Sequence, residues 1–169
     1  NFKKEKIFSL GFPRNDILTK ANRDLKPLFD DSEFEKVIVW YPTYRQHKNG
    51  LSVTTGNSLP IIHNEKKAEQ LNKTAKENKV LIVLKPHFAQ DISYVKNMKL
   101  SNIKFIDDMF FTKNNISSYE FVGSCEALIT DYSSIYYDYT LCDKPIALIW
   151  EDYEEYKSST GFADGCEDF

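Results

Sequence analysis

Ala127-Leu128-Ile129-Thr130-Asp131-Tyr132-Ser133-Ser134 decides how this chain folds. Three apolar residues run into a polar cluster, and beyond Ser134 the apolar residues return at helical spacing as far as Leu141. A buried strand that ends in a turn and feeds a helix has this pattern. The first backbone N–H groups of a helix have no partner within it, and the dipole there favours negative charge. With the hydroxyls of Ser133 and Ser134 beside them, those groups make a place for a phosphate. The plainer reading is that Asp131 or Ser133 caps the helix, and the segment taken alone favours it.

Similar apolar runs stand at Val37 to Tyr41, Val80 to Leu84, Ile103 to Ile106 and Ile146 to Ile149. Helical patterns lie between them: Glu65 to Asn78, with Ala68, Leu71 and Ala75 on one face, then Ser117 to Cys125 and Ser133 to Leu141. Continuous apolar strands separated by helices predict an α/β fold, a Rossmann-like parallel sheet with helices on both faces. The carboxyl ends of its strands share one edge, where ligands bind. Gln46 to Pro60, rich in Gly, Ser, Thr and Asn, reads as a long mobile loop suited to a lid. Asp107-Asp108 reads as the start of a loop.

The 169 residues suffice for one domain with a real core, and 41% hydrophobic with 28% charged residues is ordinary for a soluble protein. A net charge of −3 gives a nucleic-acid partner no support across the domain. The lysines between Lys66 and Lys79 alternate with Glu65, Glu69 and Glu77, as on a solvated helix face. Cys125, Cys142 and Cys166 are widely spaced, which fits a reduced cytosolic compartment. No apolar run approaches membrane-spanning length, and no basic amphipathic stretch is present to seat the chain on a membrane. The six glycines form neither a dinucleotide fingerprint nor a Walker loop, and His47, His63 and His87 form no metal-ligand pair.

What remains is polar chemistry just after the strands. Tyr41-Pro42-Thr43-Tyr44-Arg45 sets a hydroxyl and a guanidinium after the first, and arginine suits phosphate because its planar fork donates in pairs. Lys85-Pro86-His87 follows the second, offering a phosphate ligand or a general base. Asp131 to Ser134 follow the fourth. Three strand ends carrying Thr43 and Arg45, Lys85 and His87, and Ser133 and Ser134 converge on one edge, which favours an anionic ligand.

Together with Gly11-Phe12-Pro13-Arg14-Asn15-Asp16, Leu84 to Asp91, Asp143-Lys144-Pro145, Glu154-Glu155-Tyr156-Lys157 and Gly161-Phe162, these segments resemble the CDP-glycerol glycerophosphotransferases of teichoic acid synthesis. Order and rough spacing agree over nearly the whole chain. The family commonly has His-Pro where this chain has His87-Phe88.

The resemblance implies one half of a GT-B architecture. Residues 1–16 would lie near the junction with an N-terminal half, and 17–169 would form the domain that holds the CDP-activated donor, truncated at its C-terminus. The implied reaction is attack of a polymer-end hydroxyl on the β-phosphorus of CDP-glycerol, with CMP leaving and no bound metal or other cofactor. Arg45, Thr43, Lys85, Ser133 and Ser134 would contact phosphate. His87 would be catalytic, touching the pyrophosphate or assisting proton transfer, and Glu155 would accept a ribose hydroxyl. Arg14 would support the site, as would Asp131 by capping the helix or orienting a neighbour. Tyr136, Tyr137 and Tyr139 read as packing residues. Implied partners are CDP-glycerol, a polymer or lipid-linked acceptor and the N-terminal half. Membrane contact would lie outside this chain, with the full protein peripheral at the cytoplasmic face. CDP-ribitol in place of CDP-glycerol, a nucleotide-sugar donor and a non-catalytic nucleotide-binding module all stay open.

Overall fold

The computed structural model describes residues 6, 8, 10–29, 31–43, 59–88, 90 and 92–159. Arg45, residues 46–58 of the expected loop, Gly161, Phe162 and Cys166 lie outside them.

Five strands form one parallel sheet: β1 (Lys36–Tyr41), β2 (Val80–Leu84), β3 (Ile103–Phe105), β4 (Ala127–Thr130) and β5 (Ile146–Leu148), in the order β3-β2-β1-β4-β5. Each apolar run singled out in the sequence is a strand, within a residue or so at the ends. Both faces are covered. On one face α1 (Pro13–Lys20), α4 (Asp108–Lys113), α5 (Ser118–Ser124) and α6 (Ile135–Tyr139) bury Leu18, Phe111, Phe121 and Tyr139 against Val37, Val39, Leu81, Val83 and Leu128. On the other, α2 (Glu65–Glu77) and α3 (Ser93–Lys96) bury Ala68, Ala75 and Val95 against Trp40, Ile82, Leu84 and Ile103. A seventh helix, α7 (Tyr153–Ser159), follows β5.

This order follows from crossover handedness. Connections between parallel strands are almost always right-handed. The chain therefore builds outward from β1 in one direction while its helices cover one face, and in the other once they cover the opposite face. The reversal falls between β1 and β4, where a doubly wound sheet opens a crevice at its carboxyl edge.

Local chemistry starts the helices. Asn64 accepts the Lys67 N–H ahead of α2, and Ser117 accepts the Glu120 N–H ahead of α5. Asp107 accepts the Phe110 N–H at 3.0 Å, so Asp107-Asp108 begins α4 and not a loop. The short helices α1, α3 and α7 add to those read from periodicity. Only Leu18 of α1 is buried, and α1 is held by close approach to α5. A Cβ on Gly123 would lie 2.1 Å from the Leu18 carbonyl oxygen and 2.8 Å from Ala21 Cβ. The far end of α5 is closed by Lys144, whose ammonium donates to the carbonyls of Gly123 at 2.6 Å and Cys125 at 2.9 Å. Asp143 turns the chain toward that contact with φ 53°.

Candidate functional site at the carboxyl edge of the sheet

The β1/β4 crevice is tied across by one carboxylate. Asp131 is buried, and its two oxygens lie 2.9 and 3.1 Å from the Thr43 backbone nitrogen, which donates to them. Neither Asp131 nor Ser133 is the helix cap that the segment alone favours. Asp131 is spent on β1, and the cap position falls at Ser134, whose side chain makes no capping bond. Ser133 is half-buried and Ser134 exposed, and neither hydroxyl hydrogen-bonds within the described chain. Both remain available to a ligand at the start of α6.

Across β1, the Lys85 N–H donates to the Trp40 carbonyl at 3.0 Å, which sets Lys85 at the end of β2 beside the end of β1. Its ammonium lies 3.1 Å from Asp108 Oδ1 and 5.9 Å from the centre of the Tyr41 ring. Lys85 is thus already paired, though with an exposed carboxylate that exchanges readily. The Tyr41 hydroxyl is buried without a hydrogen-bond partner among the described residues, and burial pushes its ionisation well above the ordinary tyrosine range.

His87 is exposed, with its ring centre 4.3 Å from that of Phe88 and its carbonyl accepting the Gln90 N–H at 2.9 Å. His87, Phe88, Phe105 and Phe110 help line a cleft of about 570 Å³ beyond the ends of β2 and β3. A second cavity, about 630 Å³ between Lys26, Glu35 and Lys79, lies at the opposite edge of the sheet.

Arg14 stands on the α1 side. Its Nε donates to Asp138 Oδ2 on α6 at 3.1 Å, so it braces the helix that follows the serine pair. Glu155 lies on α7, with its side chain outside the described part. The next residue, Tyr156, stacks on Tyr132 at 4.0 Å, and the Tyr132 hydroxyl donates to Asp152 at 3.2 Å, which brings α7 to the Asp131–Ser134 turn. Of the three tyrosines read as packing, Tyr139 is fully buried with its hydroxyl on the Cys125 carbonyl, Tyr136 is half-buried, and Tyr137 is exposed.

The structure therefore brings Thr43, Lys85, Asp131, Ser133 and Ser134 to one edge, with His87 beside them. Sequence reasoning missed Asp138, Tyr119 and Glu151. Glu151 follows β5; its Oε2 accepts the Ile61 N–H at 3.0 Å and lies 2.9 Å from His63 Nε2. Tyr94 adds a second tie, accepting from the Leu59 N–H and donating to the Ile62 carbonyl, both at 2.9 Å. These bonds hold Ile61 at φ 65°, a conformation that a β-branched residue disfavours. A lone acid on an otherwise aromatic helix was the signal for Asp138; nothing local marked Glu151. Among the described residues no three His, Cys, Asp or Glu side chains group so as to hold a metal ion, and no helix is long and apolar enough to cross a membrane.

A doubly wound parallel sheet with polar side chains gathered at its switch point defines a Rossmann-like ligand-binding domain. Residues 1–169 match the model of the CDP-glycerol:poly(glycerophosphate) glycerophosphotransferase family, and the chain belongs to that family. It is 27% identical over 165 residues to the teichoic acid glycerol-phosphate primase of Bacillus subtilis (strain 168), covering 96% of this chain and 38% of that protein. It is 25% identical over 177 residues to the teichoic acid ribitol-phosphate polymerase TarL of Staphylococcus aureus (strain NCTC 8325 / PS 47), covering 99% of this chain and 29% of that one. Among solved structures it resembles the wall teichoic acid polymerase TagF, with a TM-score of 0.59 at 27% identity over 99% of this chain and 40% of that chain. A TagF variant with CDPG superposes with a TM-score of 0.66 at 24% identity over 99% of this chain and 38% of that one, which bears on fold alone. The chain thus spans about two fifths or less of these proteins' length.

Proposed function

We propose that this chain is the donor-binding part of an enzyme that transfers glycerol phosphate from CDP-glycerol to a hydroxyl of a growing cell-surface polymer, releasing CMP. The observation that carries the reading is the pair of serine hydroxyls at the start of α6 that make no hydrogen bond among the described residues, set in the β1/β4 crevice by the Asp131 bond to Thr43. Family membership supplies the donor class.

In this reading Ser133 and Ser134 hold the donor phosphates, with Thr43 and Arg45 on the β1 side and Lys85 on the β2 side. Charge that develops on the transferred phosphoryl group and on the leaving CMP is stabilised by positioned donors, with no resident metal. His87 steadies that charge or moves a proton, and Glu155 accepts from the ribose. Residues 1–16 run toward the other half of a GT-B enzyme, which supplies the acceptor and the contact with the inner face of the membrane.

The test is ligand binding by the chain itself. CDP should raise its melting temperature, because a ligand that binds only the folded state stabilises it by mass action. The shift should survive chelators and exceed that with UDP or GDP. Absence of both a shift and binding heat at millimolar CDP defeats the donor-site reading. Similarity to both glycerol-phosphate and ribitol-phosphate enzymes keeps a second donor in view, and direct competition between CDP-glycerol and CDP-ribitol separates them.

A further inference from the structure

The Lys85 ammonium is engaged at the α4 side of the crevice, across β1 from the serine pair. Along the carboxyl edge Lys85, Tyr41 and Thr130 stand side by side, since the Lys85 N–H donates to the Trp40 carbonyl and Tyr41 pairs with Thr130. Two strand spacings, about 10 Å, separate the ends of β2 and β4. Tyr41 packs on the face that α4 and α6 cover, and the ammonium lies 5.9 Å from the centre of its ring. Lys85 therefore reaches into the space between the start of α4 and the serines that open α6. Asp108 Oδ1, 3.1 Å away, holds it on the α4 side, and the other two N–H groups of the ammonium find no acceptor among the described residues.

The two partners differ in freedom: the Lys85 side chain is 21% exposed and that of Asp108 is 87% exposed. A pair with one partner largely in water holds loosely. Lysine, a point charge on a flexible four-carbon stem, follows a stronger anion when one arrives. A pyrophosphate is such an anion, with more charge and more acceptor oxygens than one carboxylate. Which of its phosphates meets Lys85 follows from the other end of the site. The helix that carries Glu155 is joined to the serine turn by the Tyr132–Tyr156 stack. A nucleoside seated beside α7 sets its inner phosphate at Ser133 and Ser134 and points the outer one across β1, toward Lys85.

We propose that Asp108 is a positioning residue, a resident counter-anion that keeps the Lys85 ammonium at the crevice until the outer phosphate of the donor displaces it. Lys85 returns to it when only CMP, with its single phosphate, is left. This rests on the donor reading of Ser133 and Ser134. CDP and CMP are titrated calorimetrically into this chain at fixed ionic strength, and the melting temperature of each variant checks its fold. With no carboxylate in competition, Asp108→Asn should bind CDP about threefold or more tightly than the parent and CMP within about twofold of it. Asp108→Ser, which also lacks the charge, should behave alike. Lys85→Met should weaken CDP binding. In its background Asp108→Asn should change CDP affinity by less than about twofold, the coupling that a double-mutant cycle isolates. Weaker CDP binding by Asp108→Asn overturns the proposal, since the carboxylate would then be aiming the ammonium at the ligand. Tightening that persists beside Lys85→Met is plain repulsion of an anion, and equal tightening of CMP means that Lys85 does not meet the outer phosphate; either overturns it too. CDP binding that is alike in the parent and Asp108→Asn defeats the proposal alone, whereas no CDP binding by either defeats the donor reading and the proposal with it.

Discussion

Asp131 and Thr43, 88 residues apart in sequence, are joined by a carboxylate that accepts one backbone N–H with both oxygens, at 2.9 and 3.1 Å. The bond closes the two strands of the switch point at their carboxyl ends. Asp131→Ala should leave the Thr43 N–H without this acceptor and lower stability by about 1–3 kcal/mol. Asp131→Asn, which keeps one acceptor oxygen, should lose less. Denaturant midpoints and CDP affinity measured together test this; an Ala variant as stable and as tight-binding as the parent would remove Asp131 from the site.

Since neither serine hydroxyl bonds within the described chain, Ser133→Ala/Ser134→Ala should change folding stability by no more than about 0.5 kcal/mol. CDP affinity should fall by about 1.5–3 kcal/mol for each charge-assisted bond lost. Unchanged affinity would make the pair incidental to the ligand.

His87→Ala in the complete enzyme should lower kcat more than it raises KM for the donor. A group that steadies developing charge acts mainly in the transition state. The reverse outcome, a raised KM at constant kcat, would make His87 a ground-state phosphate ligand.

Gly123→Ala should destabilise the domain by about 1–3 kcal/mol or more, because the added methyl would meet the α1 backbone at 2.1 Å. The loss should appear first as detachment of α1, visible as faster amide exchange across Pro13–Lys20 than across β1. Parent-like stability would mean that α1 does not sit so close.

Alkaline pH should weaken the fold. Burial, together with the hydrogen bond to Asp138 and that carboxylate's charge, pushes the Tyr119 hydroxyl from 10.0 up to about 12. Below pH 10 the hydroxyl is neutral in both states and its contribution is intact. Between 10 and about 12 the unfolded chain releases the proton while the folded chain keeps it, so stability falls as pH rises. Urea midpoints at about pH 9 and about pH 11 should show the loss, and Tyr119→Phe should reduce it. A midpoint that does not move over this range refutes the buried Tyr119–Asp138 bond.

The strands were legible because a strand covered on both faces is apolar throughout, as Val80 to Leu84 are, and needs no partner to be recognised. α2 was legible from Ala68, Leu71 and Ala75 at helical spacing. α1 was not, since one buried leucine makes no pattern and its support comes from a glycine more than a hundred residues away. α4 was missed because a capping aspartate followed by a first-turn aspartate looks like any polar loop. Within the site, residue types at strand ends could be read directly. Asp131's bond to Thr43 could not, because it exists only once β4 lies beside β1.

Tyr132 sits between Asp131 and Ser133, yet its ring belongs to α7 through Tyr156, and its hydroxyl reaches Asp152. The turn that carries the serines and the helix that carries Glu155 therefore share a hinge pin. Any coupling between groups held at the two is the same free energy whichever is bound first. The two ends of a bound nucleotide would not be gripped by separate jaws; they would feel a single lever.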